Sequence, residues 1–289
     1  MKKRIISLLI TVCMLLALSA PVLAADDGRV VIGADLTEEQ IQTVYKLFGI
    51  ERGSVAELKV TNAEEREYLE GLVEESVIGK YAISCVYVQL LEAGSGLSVE
   101  TFNINWCTAE MYKNALVTAG VTDAKIIVAA PFEVSGTAAL TGIYKAYESI
   151  TGNTLDAEAK SVGTQELTIT GRLAEQIGNF DATGIVSGIK ETLGETAKMS
   201  DEELRREIVS IAERYNVTLS DSQIRQLIDL CRAMEKLDPS ALKDRIEEAK
   251  ETVQRIEEAK EKAESFYDRF RNFLAEAADF LDRLKSLFG

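Results

Sequence analysis

The sequence predicts an α+β protein, in which a mixed α/β half is followed by an all-α half that ends in one long amphipathic helix. Three observations carry this. Short apolar runs of strand length alternate with capped helical stretches from Val30 to about Thr151, and the strand signal fades after residue 151. From Ser240 to Leu287 neither Gly nor Pro interrupts an apolar stripe recurring at steps of three and four. The expected divisions are a signal peptide at 1–24, a mixed domain at 25–155, a helical region at 156–237 and a coiled-coil-like helix at 238–289.

Lys2, Lys3 and Arg4 lead into an apolar run from Ile5 to Leu18 that ends at Val22-Leu23-Ala24. The run is too short for a hydrocarbon core of ~30 Å, and small residues precede the expected cut after Ala24, as in a secretory signal peptide. Cys13 lies mid-run, which disfavours a lipoprotein anchor. A secreted or extracytoplasmic protein is therefore expected.

In the mixed half, Thr37-Glu38-Glu39-Gln40 is a capping box opening a helix to about Leu47. Val55 to Val60 reads as a strand, and Thr61-Asn62-Ala63-Glu64-Glu65 opens the next helix. Tyr81 to Leu91 and Leu97 to Trp106 alternate with strand period and flank Glu92-Ala93-Gly94-Ser95-Gly96, which suggests a hairpin. Thr108 caps a helix, Lys125 to Ala130 is a buried strand running into Pro131, and a helix starts near Ser135 to Thr137 and continues to about Ser149. The order β-α-β-β-α-β permits a ferredoxin-like sheet, with the Thr37 and Ser135 helices as additions.

In the helical region Gln165 to Gly178 and Ala182 to Leu193 have helical patterns. Ser200-Asp201-Glu202-Glu203 and Ser220-Asp221-Ser222-Gln223 are capping boxes opening helices to about Tyr215 and Lys236. Beyond Pro239 a straight helix would be roughly 70 Å long at ~1.5 Å per residue, so part of its stripe must meet another helix, a second copy or a membrane. The Phe-rich end from Phe266 carries as many acids as bases, which favours helix packing over anionic lipid.

Without Lys2, Lys3 and Arg4 the chain holds 29 Lys+Arg against 47 Asp+Glu, a formal charge of −18. That sign opposes nucleic-acid binding. The chain has no histidine, which removes Ser-His-Asp and Cys-His catalysis and His-ligated zinc. No cofactor or metal is implied, for there is neither an EF-hand loop nor a phosphate-binding glycine loop. Ser187 with Lys190 and Ser240 with Lys243 have Ser-x-x-Lys spacing but no companion motifs. Cys85, Cys107 and Cys231 are odd in number and lack a framework spacing; Cys231 reads as a small buried side chain.

Two sets of residues stand out as ligand candidates. If the two alternating runs pair as a hairpin, Val86, Val88, Phe102, Ile104 and Trp106 face the core, while Tyr87, Gln89, Thr101, Asn103 and Asn105 form a polar and aromatic face suited to a sugar, a peptide or a protein. The bland alternative is a solvated or helix-covered sheet face. At Ser135, Gly136 and Thr137 a strand turns into a helix whose free N–H groups could hold an anion. Ser135 lacks a nucleophile-elbow context and reads as a cap.

The segments Val31-Ile32-Gly33-Ala34-Asp35-Leu36-Thr37, Gly94-Ser95-Gly96-Leu97-Ser98-Val99-Glu100-Thr101, Ala115-Leu116-Val117-Thr118-Ala119-Gly120-Val121, Ala129-Ala130-Pro131-Phe132 and Gly136-Thr137-Ala138-Ala139-Leu140-Thr141-Gly142 occur in order. Together they resemble the YpuA-like family, exported proteins of Gram-positive bacteria whose domain has no assigned function. The resemblance spans roughly residues 30 to 235 and supplies no catalytic residues, cofactor or substrate. It implies an exported, cell-envelope-associated protein.

The expectation is thus a non-catalytic binding or interaction protein, whose C-terminal helix binds a protein partner or a second copy. A rival is a carboxylate-dependent cell-wall glycan hydrolase, which needs two carboxylates facing across a cleft at ~5 to 9.5 Å. A third reading is a peripheral membrane protein held by the Phe-rich tail.

Overall fold

A computed structural model describes residues 28–72, 75–238 and 241–247. The expected signal peptide and most of the expected C-terminal helix lie outside these residues. Five strands form one sheet: β1 (Gly28–Gly33), β2 (Ala56–Val60), β3 (Cys85–Leu90), β4 (Leu97–Ile104) and β5 (Ala124–Val134), in the order β2-β1-β3-β5-β4. β1 and β2 are parallel, as are β4 and β5; β3 joins the two pairs by antiparallel ladders to β1 and β5.

This order corrects the hairpin and, with it, the ferredoxin-like arrangement, in which the two middle strands are neighbours. The chain leaves β4 through helix α4 (Ala109–Ala119) and returns as β5 between β3 and β4. Both parallel pairs are strand–helix–strand units, the connection that parallel strands require.

The inner strands β1, β3 and β5 read as near-continuous apolar runs because both their faces are buried, whereas the edge strands β2 and β4 are partly exposed. Val31, Val86, Val88, Ile126 and Val128 point into one core. Val30, Ile32, Cys85, Tyr87, Ile127 and Ala129 point into another, closed by α1 (Glu38–Phe48) through Ile41, Val44, Tyr45 and Phe48. α2 (Asn62–Leu69) and the short α3 (Glu75–Ile78) border the sheet. α4 and α5 (Thr137–Thr151) cover the first face, with Met111, Tyr112, Leu140 and Ile143 fully or almost fully buried.

The helical half comprises α6 (Ala157–Ile177), α7 (Asn179–Glu191), the short α8 (Leu193–Thr196), α9 (Asp201–Glu213) and α10 (Asp221–Met234). They enclose a core built on Ile185, Ile189, Leu204, Ile211, Leu227 and Cys231. The capping boxes expected at Thr37, Ser200 and Ser220 close reciprocally, and Thr61, expected only to open a helix, closes a fourth with Glu64. α6 starts well before Gln165, with Asp156 as its N-cap.

The halves share a core, for Leu167 of α6 packs with Leu116 and Val121 beneath the sheet. Gly163 makes the contact possible: a Cβ there would lie 2.5 Å from the Ala115 carbonyl oxygen of α4. Gly163→Ala is therefore expected to destabilise the protein by about 1–3 kcal/mol, reversing the gain of ~0.5–1 kcal/mol that the same change brings in an open helix. The denaturant midpoint measures it.

Residues 241–247 are helical, and Leu242 is buried in the helical core while Ile246 packs against both cores. Residues 241–247 are thus anchored in the body of the protein.

Candidate functional site

The strand-to-helix junction after β5 is the best-built polar site. β5 continues through Pro131 to Val134, beyond the end of its ladder with β3 at Ala129–Cys85. Pro131 has no N–H to donate and is tolerated there. The ladder with β4 breaks between Phe102 and Ile104, where Asn103 takes φ 58° and donates from Nδ2 to the Ala130 carbonyl at 2.7 Å.

Gly136 follows with φ 93°, a left-handed conformation open to glycine. A Cβ there would also meet the Tyr112 hydroxyl and Ile104 at 2.5 Å. The Tyr112 hydroxyl donates to the Gly136 carbonyl at 2.5 Å, and the Cys107 N–H donates to the Ser135 carbonyl at 3.0 Å. The junction is thus pinned by Tyr112 of α4 and by Cys107 just before that helix.

Ser135 does not cap α5, correcting that expectation. Gly136 is the N-cap and makes no side-chain bond, while Ser135 Oγ donates to the Val77 carbonyl at 2.9 Å. Thr137 Oγ1 donates to Glu65 Oε1 at 2.6 Å and lies 3.3 Å from Ser135 Oγ. Glu65 is fully buried and also accepts from Asn62 Nδ2 at 3.3 Å. Burial pushes its carboxyl up to about 7, against the hydrogen bonds from Thr137 and Asn62 and the charge of Arg66. These groups line a cleft of about 220 Å³ whose rim includes Lys80 and the exposed Tyr81.

Chemically, this is a pre-formed hydrogen-bonding cleft. Glu65 is the carboxylate in its lining. The Ser135 proton is committed to a backbone carbonyl. Cys85, Cys107 and Cys231 are free and buried, and burial pushes each thiol up to about 12, far from the thiolate that nucleophilic attack requires. Ser187 and Lys190 are likewise engaged elsewhere. Ser187 Oγ accepts from Asn114 Nδ2 at 2.9 Å, and Lys190 pairs with Glu166 at 3.0 Å. Ser240 lies outside the described residues.

The other candidate set is dispersed. β5 separates Tyr87 and Gln89 on β3 from Thr101 and Asn103 on β4; the antiparallel ladder aligns Tyr87 with Ile127, and the parallel ladder aligns Glu100 with Ile127 but Thr101 with Val128. Tyr87 and Thr101 thus lie on opposite faces. Tyr87 is buried beneath α1 with its ring 6.2 Å from Phe48, whereas Gln89 and Asn105 are exposed. Phe102, expected in the core, is on the Tyr87 side and partly exposed; the break at Asn103 returns Ile104 and Trp106 to the core side.

Sequence reasoning missed Glu65, which stands beside an identical Glu64 that closes the capping box. The available signal was its position four residues before the buried Leu69, on one face of the helix. It also missed the buried Glu166–Lys190 pair, on two helices whose contact no local pattern reveals.

The chain is thus an α/β protein with a pre-formed polar cleft beside a helical bundle. Residues 32–256 match the family described as "Protein of unknown function (DUF1002)", and the chain belongs to it. It is 38% identical over 260 residues to "Uncharacterized protein YpuA" of Bacillus subtilis (strain 168), covering 89% of this chain and 87% of that protein. No solved structure matches the chain.

Proposed function

We propose that the protein is an exported, non-catalytic binding protein of the Gram-positive cell envelope, with its ligand site in the α/β half. The observation that carries this is the cleft at Glu65, Ser135 and Thr137, whose hydroxyls are shaped to hold rather than to attack. The buried, protonated thiols support the same reading. Export rests on the Lys2-Lys3-Arg4 run, the apolar stretch and the Ala24 cut site. The stripe from Leu242 onward serves self-association or a protein partner, entering from the anchored residues 241–247.

Cell fractionation with mass spectrometry of the N-terminus tests the address: the account expects a chain starting at Ala25 outside the cytoplasm, and a cytoplasmic full-length chain would contradict it. Light scattering on residues 25–289 and 25–238 tests the tail. A long form larger than a monomer beside a monomeric short form is expected; two monomers would leave a foreign partner or a membrane as the tail's target.

A further inference from the structure

A second cleft adjoins the first. It has a volume of about 370 Å³, lies between the end of β4 and helices α6 and α10, and shares Val77 with the cleft at Ser135. That volume is within the range of ligand sites, and the shared wall makes the two clefts neighbours along one surface.

The lining chemistry is specific. Trp106 is half-buried, and its ring packs on Gly171 of α6, where a Cβ would lie 2.3 Å from the indole. Its Nε1–H donates to Glu175 Oε1 at 2.6 Å, which fixes the ring. Gln223 is spent within the protein, its Oε1 accepting from the Ser220 N–H and its Nε2 donating to Gln176 Oε1, each at 2.6 Å; Gln176 Nε2 and the Gln226 amide remain in the lining for a ligand. Arg172 donates to the Leu72 carbonyl, so its guanidinium is anchored in the wall. The cleft therefore offers an indole, the planar amide of Gln226, the second amide N–H of Gln176 and one charge of each sign.

Planar amides present donor and acceptor side by side, matching neighbouring sugar hydroxyls or acetamido groups, while an indole covers the apolar side of a pyranose ring. A cleft with balanced charge on a strongly acidic chain disfavours a polyanion. We infer that the Trp106 cleft binds a linear, uncharged hexopyranose chain, which continues past Val77 into the cleft at Ser135. The inference rests on the proposed binding role and names the ligand's class.

Trp106 is the one tryptophan of the chain, so intrinsic fluorescence reports directly from this cleft. Residues 25–289 are titrated with chitohexaose and with cellohexaose, the first carrying acetamido groups and the second hydroxyls alone. A saturable change in Trp106 emission with either sugar is expected, and the stronger response tells which substituent the glutamines read. Gln176→Ala and Gln226→Ala, both away from the helix caps, are expected to weaken binding about tenfold each while the circular dichroism stays unchanged. Unchanged emission and no calorimetric heat with both sugars would overturn the inference, as would saturable binding of an extended peptide in their place. Failure here with the protein still sedimenting with purified cell walls removes this ligand class alone; failure to sediment removes the binding role itself.

Discussion

Replacing Lys190 with alanine is expected to cost the fold about 3–5 kcal/mol, read from chemical denaturation. Lys190 and Glu166 are 5% and 1% exposed, and the ammonium lies 3.0 Å from the carboxylate. Burial holds the ammonium below the usual lysine range even against the pull of Glu166. Lys190 Nζ also donates to the Asn114 carbonyl at 2.9 Å, and Thr118 Oγ1 donates to Glu166 at 2.5 Å, so the pair ties α6 and α7 to α4. Alanine leaves Glu166 buried and short of its counter-ion.

The double change Lys190→Met with Glu166→Leu is expected to recover most of that loss, because two apolar side chains of similar volume carry no desolvation cost. Thr118 is not stranded, since its hydroxyl can bond the Asn114 carbonyl one turn back, which Lys190 has vacated. A double variant as unstable as the single one would show that the pair's worth lies in packing rather than in charge.

Protein stability is expected to fall as pH rises from about 5 to 8, and Glu65 is the cause. Its carboxyl titrates at about 7 in the fold and at 4.5 when unperturbed, so the folded state holds more protons between those values. The contribution of Glu65 is fully present below pH 4.5 and is lost through pH 7, amounting to about 3 kcal/mol. Glu57 and Glu64 act in the opposite sense, for their lowered values give stability that is lost as pH falls through the carboxylate range. The expected profile therefore has a maximum near pH 5. Glu65→Gln retains an acceptor for Thr137 and should flatten the alkaline limb; an unchanged slope would place the titration elsewhere.

Local chemistry in this sequence speaks plainly, and long-range pairing does not. Each capping box is complete within four residues, and the three expected at Thr37, Ser200 and Ser220 close because the hydrogen bonds that define them are local. The mixed class and the buried character of Val86, Val88, Ile126 and Val128 were equally legible from apolar runs. The five-residue connection from Glu92 to Gly96 suggested a hairpin since alternation fixes a strand's period but not its neighbour. The better clue was the spacing of β4, α4 and β5, a strand–helix–strand unit that calls for parallel strands. At the site, the Ser135-Gly136-Thr137 junction was legible as a helix start, whereas Glu65 is 72 residues from Thr137 and meets it through the fold.

Binding without turnover is the central claim, and co-sedimentation with cell walls tests it most directly. Residues 25–289 are incubated with purified Gram-positive walls, the walls are pelleted, and the supernatant is searched by mass spectrometry for soluble glycan or peptide fragments. The account predicts protein in the pellet and no fragments in the supernatant. Protein left in solution, or fragments accumulating with time, would contradict it.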